Sequence, residues 1–273
     1  MLKWIGLLAM LIDHIAFYFF DKIPHLLYEL MRGFGRLAMP IFAFSLAFGF
    51  LKSRNWLKYF IRLLFLALLS EFVIRKTYQM IGFYRSGTNI LFTFSFSLVF
   101  MIALNILVNS GYDLLVRMQP IGSTGLGQDE LPYQFRVNLG GVELPPSVGL
   151  VLGLFFMIVS GICIVYFDTE YGLYGLLIIS AFYLILSFQI KRKLLWAYIL
   201  IIAINLFFQI AELINLGDAF SFNSLQWITV FAVPLCFQEE EPKKPQKWQK
   251  YFFYLFYPVH LAIFGLLRFF LLT

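Results

Sequence analysis

Apolar runs about as long as the hydrocarbon core of a bilayer is thick recur along the whole chain, and a spanning helix needs roughly 20 such residues. Hydrophobic residues make up 61% of the 273 residues and charged residues only 13%, about half the charge that a soluble domain carries. The sequence therefore predicts one all-α domain over residues 1–273, a polytopic bundle of about nine transmembrane helices. The nine runs cover roughly 4–20, 37–52, 59–75, 89–109, 148–166, 173–190, 194–215, 225–237 and 251–271.

Basic residues between the runs predict the orientation of the bundle. Three basic clusters follow the second, sixth and eighth runs, so all of them fall on one side of a nine-helix bundle. Because cytoplasmic loops are enriched in Lys and Arg, we predict a cytoplasmic N-terminus and an external C-terminus. This pattern also explains the net charge of +6, so no nucleic-acid partner is predicted. The clusters are Lys52, Arg54 and Lys58, then Lys191, Arg192 and Lys193, then Lys243, Lys244, Lys247 and Lys250.

Two features depart from this regular picture. Arg75, Lys76 and Arg85 follow the third run and so carry positive charge on the wrong side. Residues 110–147 are rich in Gly, Pro and polar residues and predict a long cytoplasmic loop between two helices. Such a loop is either a substrate-binding element or a tolerated insertion.

An acid and an imidazole, Asp13 and His14, lie in the middle of the first run. Ionisable side chains at that depth are costly and are usually retained for a reason. Since neighbouring residues on a helix point about 100° apart, each needs its own partner or a wet cavity. One alternative is structural, with Asp13 paired to an arginine and His14 donating to a backbone carbonyl. The other is a polar cavity inside the bundle.

Polar residues on single faces of three further runs favour the cavity. One such stripe can simply join two helices, but several that converge with Asp13, His14, Arg36 and Arg62 predict a water-accessible cavity reached by His14 and His260 together. Histidines titrate near neutral pH and are therefore candidate proton acceptors. The stripes are Asn89, Thr93, Ser97 and Asn105, then Asn205, Gln209 and Glu212, then Tyr254, Tyr257, His260, Phe264 and Arg268.

Other chemical motifs are missing from the sequence. There is no P-loop, no G-x-S-x-G elbow and no H-E-x-x-H pair, and GFGR at 33–36 follows no strand. Cys163 and Cys236 both lie inside apolar runs, so neither a disulfide framework nor a metal site is predicted.

Five segments together resemble the TraX family. They are LLAMLIDHIAFYFF, GFGRLAMPIFAFSLAFGFLKSRNWLKYFIRLLFLALLSE, NILFTFSFSL, DTEYGLYGLLIISAFYL and YFFYLFYPVHLAIF, in this order along most of the chain. Their most specific parts are the Asp–His pair, the GR-x-x-x-P-x-F segment and the Y-P-x-H ending. The resemblance implies a polytopic protein of the bacterial inner membrane. The founding member is linked to N-terminal acetylation of conjugative pilin, and the family looks similar to membrane acyltransferases that use cytosolic acyl-CoA.

The resemblance thus implies transfer of an acetyl or short acyl group from acetyl-CoA or another acyl-CoA. The acceptor would be an amine or hydroxyl of a protein N-terminus, a glycan or a small molecule that is membrane-associated or exported. The family motifs point to Asp13, His14, Arg36, Asn89, Asp168, Tyr257 and His260.

Acyl transfer then assigns each candidate a role. His14 or His260 would accept the proton of the acceptor, and Asp13 or Asp168 would orient the histidine or bind an ammonium. Donors to the oxyanion and substrate would be Arg36, Asn89, Tyr257 and Thr93. A basic mouth for the phosphates of coenzyme A would comprise Arg54, Lys58, Arg62, Lys191, Arg192 and Lys193.

Two hypotheses of other classes use the same residues. A proton-coupled transporter or flippase also places Asp, Glu and His inside its bundle. A non-catalytic scaffold of a secretion or conjugation apparatus would need them only for packing. Labelled acetyl-CoA separates the three, because only an enzyme transfers the label to an acceptor.

Overall fold

The computed structural model describes residues 1–53, 55–118, 145–188, 190–238 and 247–272, and their fold is all-α, as predicted. Two 3₁₀ helices, Asp218–Phe220 and Ser224–Ala232, accompany the α-helices. The α-helices are α1 Leu2–Tyr18, α2 His25–Gly35, α3 Ala38–Leu51, α4 Trp56–Met80, α5 Ile90–Met118, α6 Pro146–Tyr166, α7 Gly172–Ser187, α8 Lys193–Leu213, α9 Val233–Cys236 and α10 Lys247–Leu272.

The helices form a multi-pass membrane protein. Every one of the nine predicted runs contains a helix, although the eighth is the 3₁₀ helix Ser224–Ala232 continued by the short α9. Within the described ranges, six segments are long and apolar enough to cross a bilayer. They are His25–Leu51, Ile90–Leu115, Pro146–Tyr166, Lys193–Leu213, Asp218–Cys236 and Phe252–Leu271.

Two predicted boundaries were wrong. The polar loop was placed at 110–147, but α5 continues to Met118 and α6 begins at Pro146; residues 119–144 lie outside the described part of the chain.

Helix α2 was not predicted at all, because its apolar residues occupy only one face. Leu26 and Leu30 are exposed there, whereas Arg32 on the other face turns into the protein.

Contacts between the helices fix their relative directions. Helices α1 and α10 run parallel, since Trp4 packs on Phe252 with ring centroids 5.3 Å apart and Asp21 binds Arg268 beyond their other ends. Helix α3 is antiparallel to α1, since Ile41 of α3 lies against Gly6, whereas Gly35, just before α3 begins, lies against Asp13 further along α1. Helix α7 is parallel to α3, since Phe44 and Phe182 are in ring contact and so are Phe50 and Tyr183.

These directions gather the predicted cytoplasmic loops at one end of the bundle. The loop after α3, the turn after α7 and the start of α10 lie at the same end as Lys3. We call it the basic end. At the opposite end, Arg75 bonds Glu71 and Arg85 bonds Glu170. Two of the three positive charges that departed from the predicted pattern, Arg75 and Arg85, are therefore balanced by acids.

Candidate functional site

The two histidines in the core meet directly. Nδ1 of His14 on α1 lies 2.7 Å from Nε2 of His260 on α10, and their ring centroids are 4.9 Å apart. His260 is buried. Nδ1 of His260 lies 2.5 Å from the carbonyl oxygen of Phe256, one turn earlier on α10. The sequence predicted a cavity reached by both histidines together; the structure brings the two rings into a hydrogen bond, but only His14 lines the cavities described below.

The order of these bonds fixes where the protons reside. A carbonyl oxygen only accepts, so Nδ1 of His260 carries a hydrogen and donates it to Phe256. In a neutral imidazole Nε2 is then the acceptor, and Nδ1 of His14 must donate to it. Nε2 of His14 therefore holds the free lone pair, and no described residue hydrogen-bonds it.

The proline of the Y-P-x-H segment lies in α10 two residues before His260. Pro258 lies inside α10 and has no N–H, so the carbonyl of Tyr254 loses the bond that an ordinary residue would give it. The helix is one hydrogen bond short in the turn that carries His260. Tyr257, beside the proline, is buried with its ring 6.3 Å from the ring of His14.

Asp13 points away from this pair and binds Arg32 on α2, with Oδ2 and Nη1 2.7 Å apart. Both side chains are mostly buried. The residue opposite Asp13 is Gly35, where a Cβ atom would overlap the carboxylate. The glycine of the G-R motif thus lets α2 approach Asp13 closely. The structural alternative predicted from the sequence had two parts. The first is present, because Asp13 pairs with an arginine. The second is not, because His14 bonds His260 and not a backbone carbonyl.

A short loop before α7 adds the remaining polar groups. Thr88 and the segment from Asp168 to Glu170 exchange two backbone hydrogen bonds of 3.0 Å, from Thr88 N to Asp168 O and from Glu170 N to Thr88 O. Thr93 donates its hydroxyl to the carbonyl of Glu170. Asp168 and Tyr171 adopt positive φ values of 44° and 64°. Non-glycine residues in this region cost energy and cluster at functional sites.

Glu170 and Tyr171 face two arginines. Nη2 of Arg85 lies 3.3 Å from Oε2 of Glu170, and Nη1 of Arg36 donates to the hydroxyl of Tyr171 over 3.1 Å. Burial is the largest influence on the pKa of the Arg85 guanidinium and lowers it, but Glu170 together with the neighbouring Tyr257, Tyr78 and Glu71 outweighs burial, so the pKa is raised. Burial raises the pKa of the Tyr171 phenol above its usual value. Tyr171 thus keeps its proton and can donate it while accepting from Arg36.

Two cavities meet at these residues. A polar cavity of about 1030 Å³, the vestibule, lies at the end opposite the basic end, among the loops that carry Arg85, Asp168 and Asp218. A narrower, mainly apolar cavity of about 200 Å³, the passage, lies between α1, α3, α4 and α10. The residues that line both are Asp13, His14, Glu170, Tyr171 and Tyr257.

Several predicted site residues lie elsewhere. Both amide hydrogens of Asn89 are used, on Ala67 O and on the Glu71 carboxylate, so this side chain cannot donate to an oxyanion. Thr93 supports the Glu170 backbone and lines neither cavity. His260 lines neither cavity, because it lies behind His14. Arg36 and Asp168 line the vestibule.

The predicted coenzyme A mouth is not part of either cavity. Lys58, Arg62, Lys191, Arg192 and Lys193 line neither the vestibule nor the passage, and Arg54 lies outside the described residues. Lys58 lies in the first turn of α4, where Asn55 caps the helix by accepting the backbone N–H of Lys58 on its side-chain oxygen. Lys58 and the turn at 191–193 lie at the basic end, toward which the passage runs.

The polar stripes do not converge as a group. Asn205 joins α8 to neighbouring elements through Tyr174 and Thr229, and Gln209 accepts from Trp227. Among the stripe residues, Glu212 and Tyr257 line the vestibule, while Tyr254 and Tyr257 line the passage. Asn105 and Asn205 hold helices together, which is the ordinary use of polar groups in a bundle, whereas the buried hydroxyl of Ser97 has no hydrogen-bond partner among the described residues.

Sequence reasoning missed Arg32, Glu170 and Tyr171 as site residues. None lies in a polar stripe of a predicted helix; Arg32 belongs to the unpredicted α2 and the other two to a loop. The signal available was the charge of DTEYG, next to an apolar run. In the described ranges, no group of three His, Cys, Asp or Glu side chains could hold a metal ion.

Comparisons with known proteins add independent information. A family model described as TraX protein matches residues 1–110 and 148–268, leaving out most of the polar segment between α5 and α6. A relative from Dichelobacter nodosus, named probable fimbrial assembly protein FimC, serogroup H1, is 41% identical over 70 residues. That match covers 26% of this chain and only 28% of the relative. No solved structure matches the chain.

Proposed function

The chain belongs to the TraX family, and from that premise we propose that it is a membrane-embedded acyltransferase. It moves an acetyl or short acyl group from acyl-CoA to an amine or hydroxyl of a membrane-associated or exported acceptor. The matched relative is named as a fimbrial assembly protein, which favours the N-terminal amine of a pilin-like protein as acceptor. The observation that carries the proposal is His14, which lines both cavities, has its Nδ1 held by His260 and has no described hydrogen-bond partner on Nε2.

His14 has the geometry of a general base. As the acceptor nitrogen attacks the thioester carbonyl and the C–N bond forms, Nε2 of His14 takes the proton that the nitrogen loses. When the tetrahedral intermediate collapses, the C–S bond breaks and the same proton passes to the thiolate, giving free coenzyme A. His260 accepts from Nδ1–H of His14 throughout, so it stabilises the imidazolium that forms transiently.

The oxyanion of that intermediate needs donors in a site of low dielectric constant. Tyr171 supplies an O–H that is polarised by Arg36, and Tyr257 supplies a second phenol at the junction of the cavities. These groups replace Asn89 in the predicted role. The Asp13–Arg32 ion pair holds α2 against α1 beside the reacting groups.

A purely structural role explains this cluster poorly. Two histidines, an unshared lone pair and two strained loop residues are expensive at membrane depth, and a scaffold gains nothing from a cavity around them. A proton-coupled transporter would also have a cavity and hydrogen-bonded histidines, so an assay must separate it from an enzyme.

The experiment is an acyl-transfer assay with the protein in nanodiscs. Radiolabelled acetyl-CoA and other acyl-CoAs are incubated with peptides bearing free N-termini and with membrane extracts, and acylated products are identified by mass spectrometry. We expect an acetylated amine that is absent when His14→Ala protein is used. Uptake of a solute by vesicles without any labelled product would favour the transporter instead.

A further inference from the structure

Gln226 has a side-chain amide that no described residue hydrogen-bonds. It lies in the 3₁₀ helix Ser224–Ala232 and is only 9% exposed, and its Oε1 is buried without a partner. The bonds that Gln226 does form use its backbone, from N to Asn223 O over 2.8 Å and from the Thr229 hydroxyl to its carbonyl over 2.6 Å. Because an unpaired buried amide is costly, the packing of the helices does not explain this side chain.

The unpaired amide belongs to the wall of the vestibule, on the side of the reacting groups. Gln226 lines the vestibule together with Tyr171 and Tyr174. The hydroxyl of Thr229, which bonds the backbone of Gln226, lies 3.2 Å from the hydroxyl of Tyr174. Tyr174 follows Tyr171 by three residues, and Tyr171 lines both cavities. A substrate that reacts where the cavities meet can therefore extend along the vestibule to Gln226.

Two carboxylates accompany Gln226 on the same wall. Glu212 accepts the backbone N–H of Phe222, four residues before Gln226, over 3.0 Å, and Asp218 lies between them in the chain and also lines the vestibule. Neither carboxylate forms a salt bridge with a described residue. Their negative charge attracts a cationic substrate. This wall thus combines uncompensated negative charge with a neutral, unpaired amide.

The N-terminus of a polypeptide matches both features of this wall. A glutamine amide offers an acceptor oxygen and a donor NH₂ side by side, and each peptide unit offers the complementary N–H and C=O. The α-amino group of the same chain supplies the positive charge. A glycan has hydroxyl groups but no cation, and a simple alkylamine has a cation but no amide. Since an extended chain advances about 3.3–3.6 Å per residue, its first peptide groups lie only a few ångströms beyond the amine.

We propose that Gln226 determines the specificity of the protein for peptide amines. While the N-terminal amine of the acceptor lies at His14, the oxygen of the Gln226 amide accepts a peptide N–H and its NH₂ donates to a peptide carbonyl, both within the first three peptide groups of the acceptor. Glu212 and Asp218 attract the charged N-terminus into the vestibule. Gln226 positions the acceptor and takes no part in bond making. This inference rests on the proposed function.

Ester analogues of a peptide acceptor test this contact. A tetrapeptide with a free N-terminus and three analogues, each with one peptide N–H replaced by an ester oxygen, are compared in nanodiscs with radiolabelled acetyl-CoA. With wild-type protein, one analogue should have a KM about tenfold higher than the parent peptide at nearly the same kcat, since its ester leaves the Gln226 oxygen unpaired. Gln226→Leu should raise the KM of the parent peptide by a similar factor and treat that analogue and the parent alike. The same discrimination by both proteins would overturn the inference. If wild-type protein acetylates no peptide at all, the proposed function fails instead.

Melting temperature provides a second readout, which needs no activity. Leucine has a volume similar to that of glutamine and removes an amide that has no partner, so Gln226→Leu should melt at the wild-type temperature or above it. The matched control is Gln209 on α8, which is exposed, accepts from Trp227 over 3.0 Å and lines neither cavity. Gln209→Leu should keep the wild-type KM for the parent peptide and the wild-type response to its ester analogues. A Gln226→Leu protein that melts lower or does not fold would show that the amide is satisfied without a substrate, and would overturn the inference.

Discussion

Nδ1 of His14 donates to Nε2 of His260 over 2.7 Å, although 246 residues separate them in the chain. The bond joins α1 to α10. It depends on the parallel packing of α1 and α10, which Trp4 and Phe252 maintain at one end and the Asp21–Arg268 pair at the other. Because the second bond of His260 goes to a carbonyl oxygen, the pair has a direction and ends on Nε2 of His14.

Replacing His14 by Ala should abolish acyl transfer while largely preserving the fold. Loss of a general base lowers the rate by roughly 10²–10⁴-fold. A residue with only a structural role would instead lower stability by about 1–3 kcal/mol when its partner is left unsatisfied. Turnover and melting temperature measured in the same detergent distinguish the two outcomes.

Two further variants make the His14 test specific. Asn at position 14 keeps some hydrogen bonding but cannot accept a proton at neutral pH, so His14→Asn should also be inactive. His25 is the third histidine of the chain and has an exposed side chain, so His25→Ala should retain full activity. An active His14→Asn protein would mean that the base lies elsewhere.

His260 should behave as a positioning residue, because it touches neither cavity. Replacement of His260 by Ala leaves Nδ1–H of His14 without an acceptor. His14 can then adopt the other tautomer, with its hydrogen on Nε2, where it cannot accept a proton. We expect kcat to fall by about 10²-fold with little change in KM. His260→Gln offers an amide oxygen at a similar position and should recover part of that loss. The pH–rate profile should shift in His260→Ala and return toward the wild-type profile in His260→Gln. A profile that no His260 variant moves would argue for packing alone.

The sequence predicted the helices of this fold far better than it predicted the site. Nine apolar runs specify nine helical segments because a bilayer demands both length and apolar surface. Helix α2 escaped because an amphipathic helix of eleven residues is too short and too charged to look like a span. The eighth run indicated a helix but gave no sign that most of it is 3₁₀.

The histidines and Asn89 show why the site was predicted only in part. His14 and His260 were predicted to reach one cavity because they lie at a similar depth and polar stripes surround them. Asn89 also lies on a polar face, but local partners use both of its amide hydrogens, and no sequence pattern distinguishes that case from a substrate contact. Glu170 and Tyr171 are positioned by backbone bonds to a distant loop, which periodicity does not reveal.

Sidedness is predicted by the basic end. Single cysteines at Ser53 and Lys193 should both react with a membrane-impermeant maleimide from the cytoplasmic face, since basic loops remain there. A cysteine at Tyr84, which is 92% exposed at the other end, should react only from the opposite face. Labelling of inverted and right-side-out vesicles provides the measurement. Ser53 and Lys193 on different faces would contradict the helix directions themselves.

Asp21 should make part of the protein's stability dependent on acid pH. Its hydrogen bond from Arg268 holds the pKa of the Asp21 carboxyl below its usual value. A lowered folded-state pKa gives stability that is complete above the unfolded-state pKa of about 3.9 and lost as the pH falls through the folded value. Wild-type protein should therefore melt higher than Asp21→Asn at pH 7, and the difference should shrink below about pH 4.

A neighbouring acid provides the control for Asp21. Glu29 lies on the exposed face of α2 with a distant contact to His25, so Glu29→Gln should show no comparable loss of melting temperature at pH 7. If the difference between wild type and Asp21→Asn instead grows as the pH falls, the sign of the linkage is wrong and the pair does not stabilise the charged carboxylate.

Gly35→Ala tests whether the G-R motif exists to seat α2 against Asp13. The added methyl group would overlap the Asp13 carboxylate, so either α2 or the ion pair with Arg32 must move. Overpacking of this kind costs about 1–3 kcal/mol, and we expect a lower melting temperature together with reduced transfer. Gly161 on α6 is the matched control, because a Cβ there meets nothing within 4 Å. Gly161→Ala should be neutral or slightly stabilising, since alanine favours the helix by roughly 0.5–1 kcal/mol. Gly35→Ala protein as stable and active as Gly161→Ala would show that α2 does not lie where the structure places it.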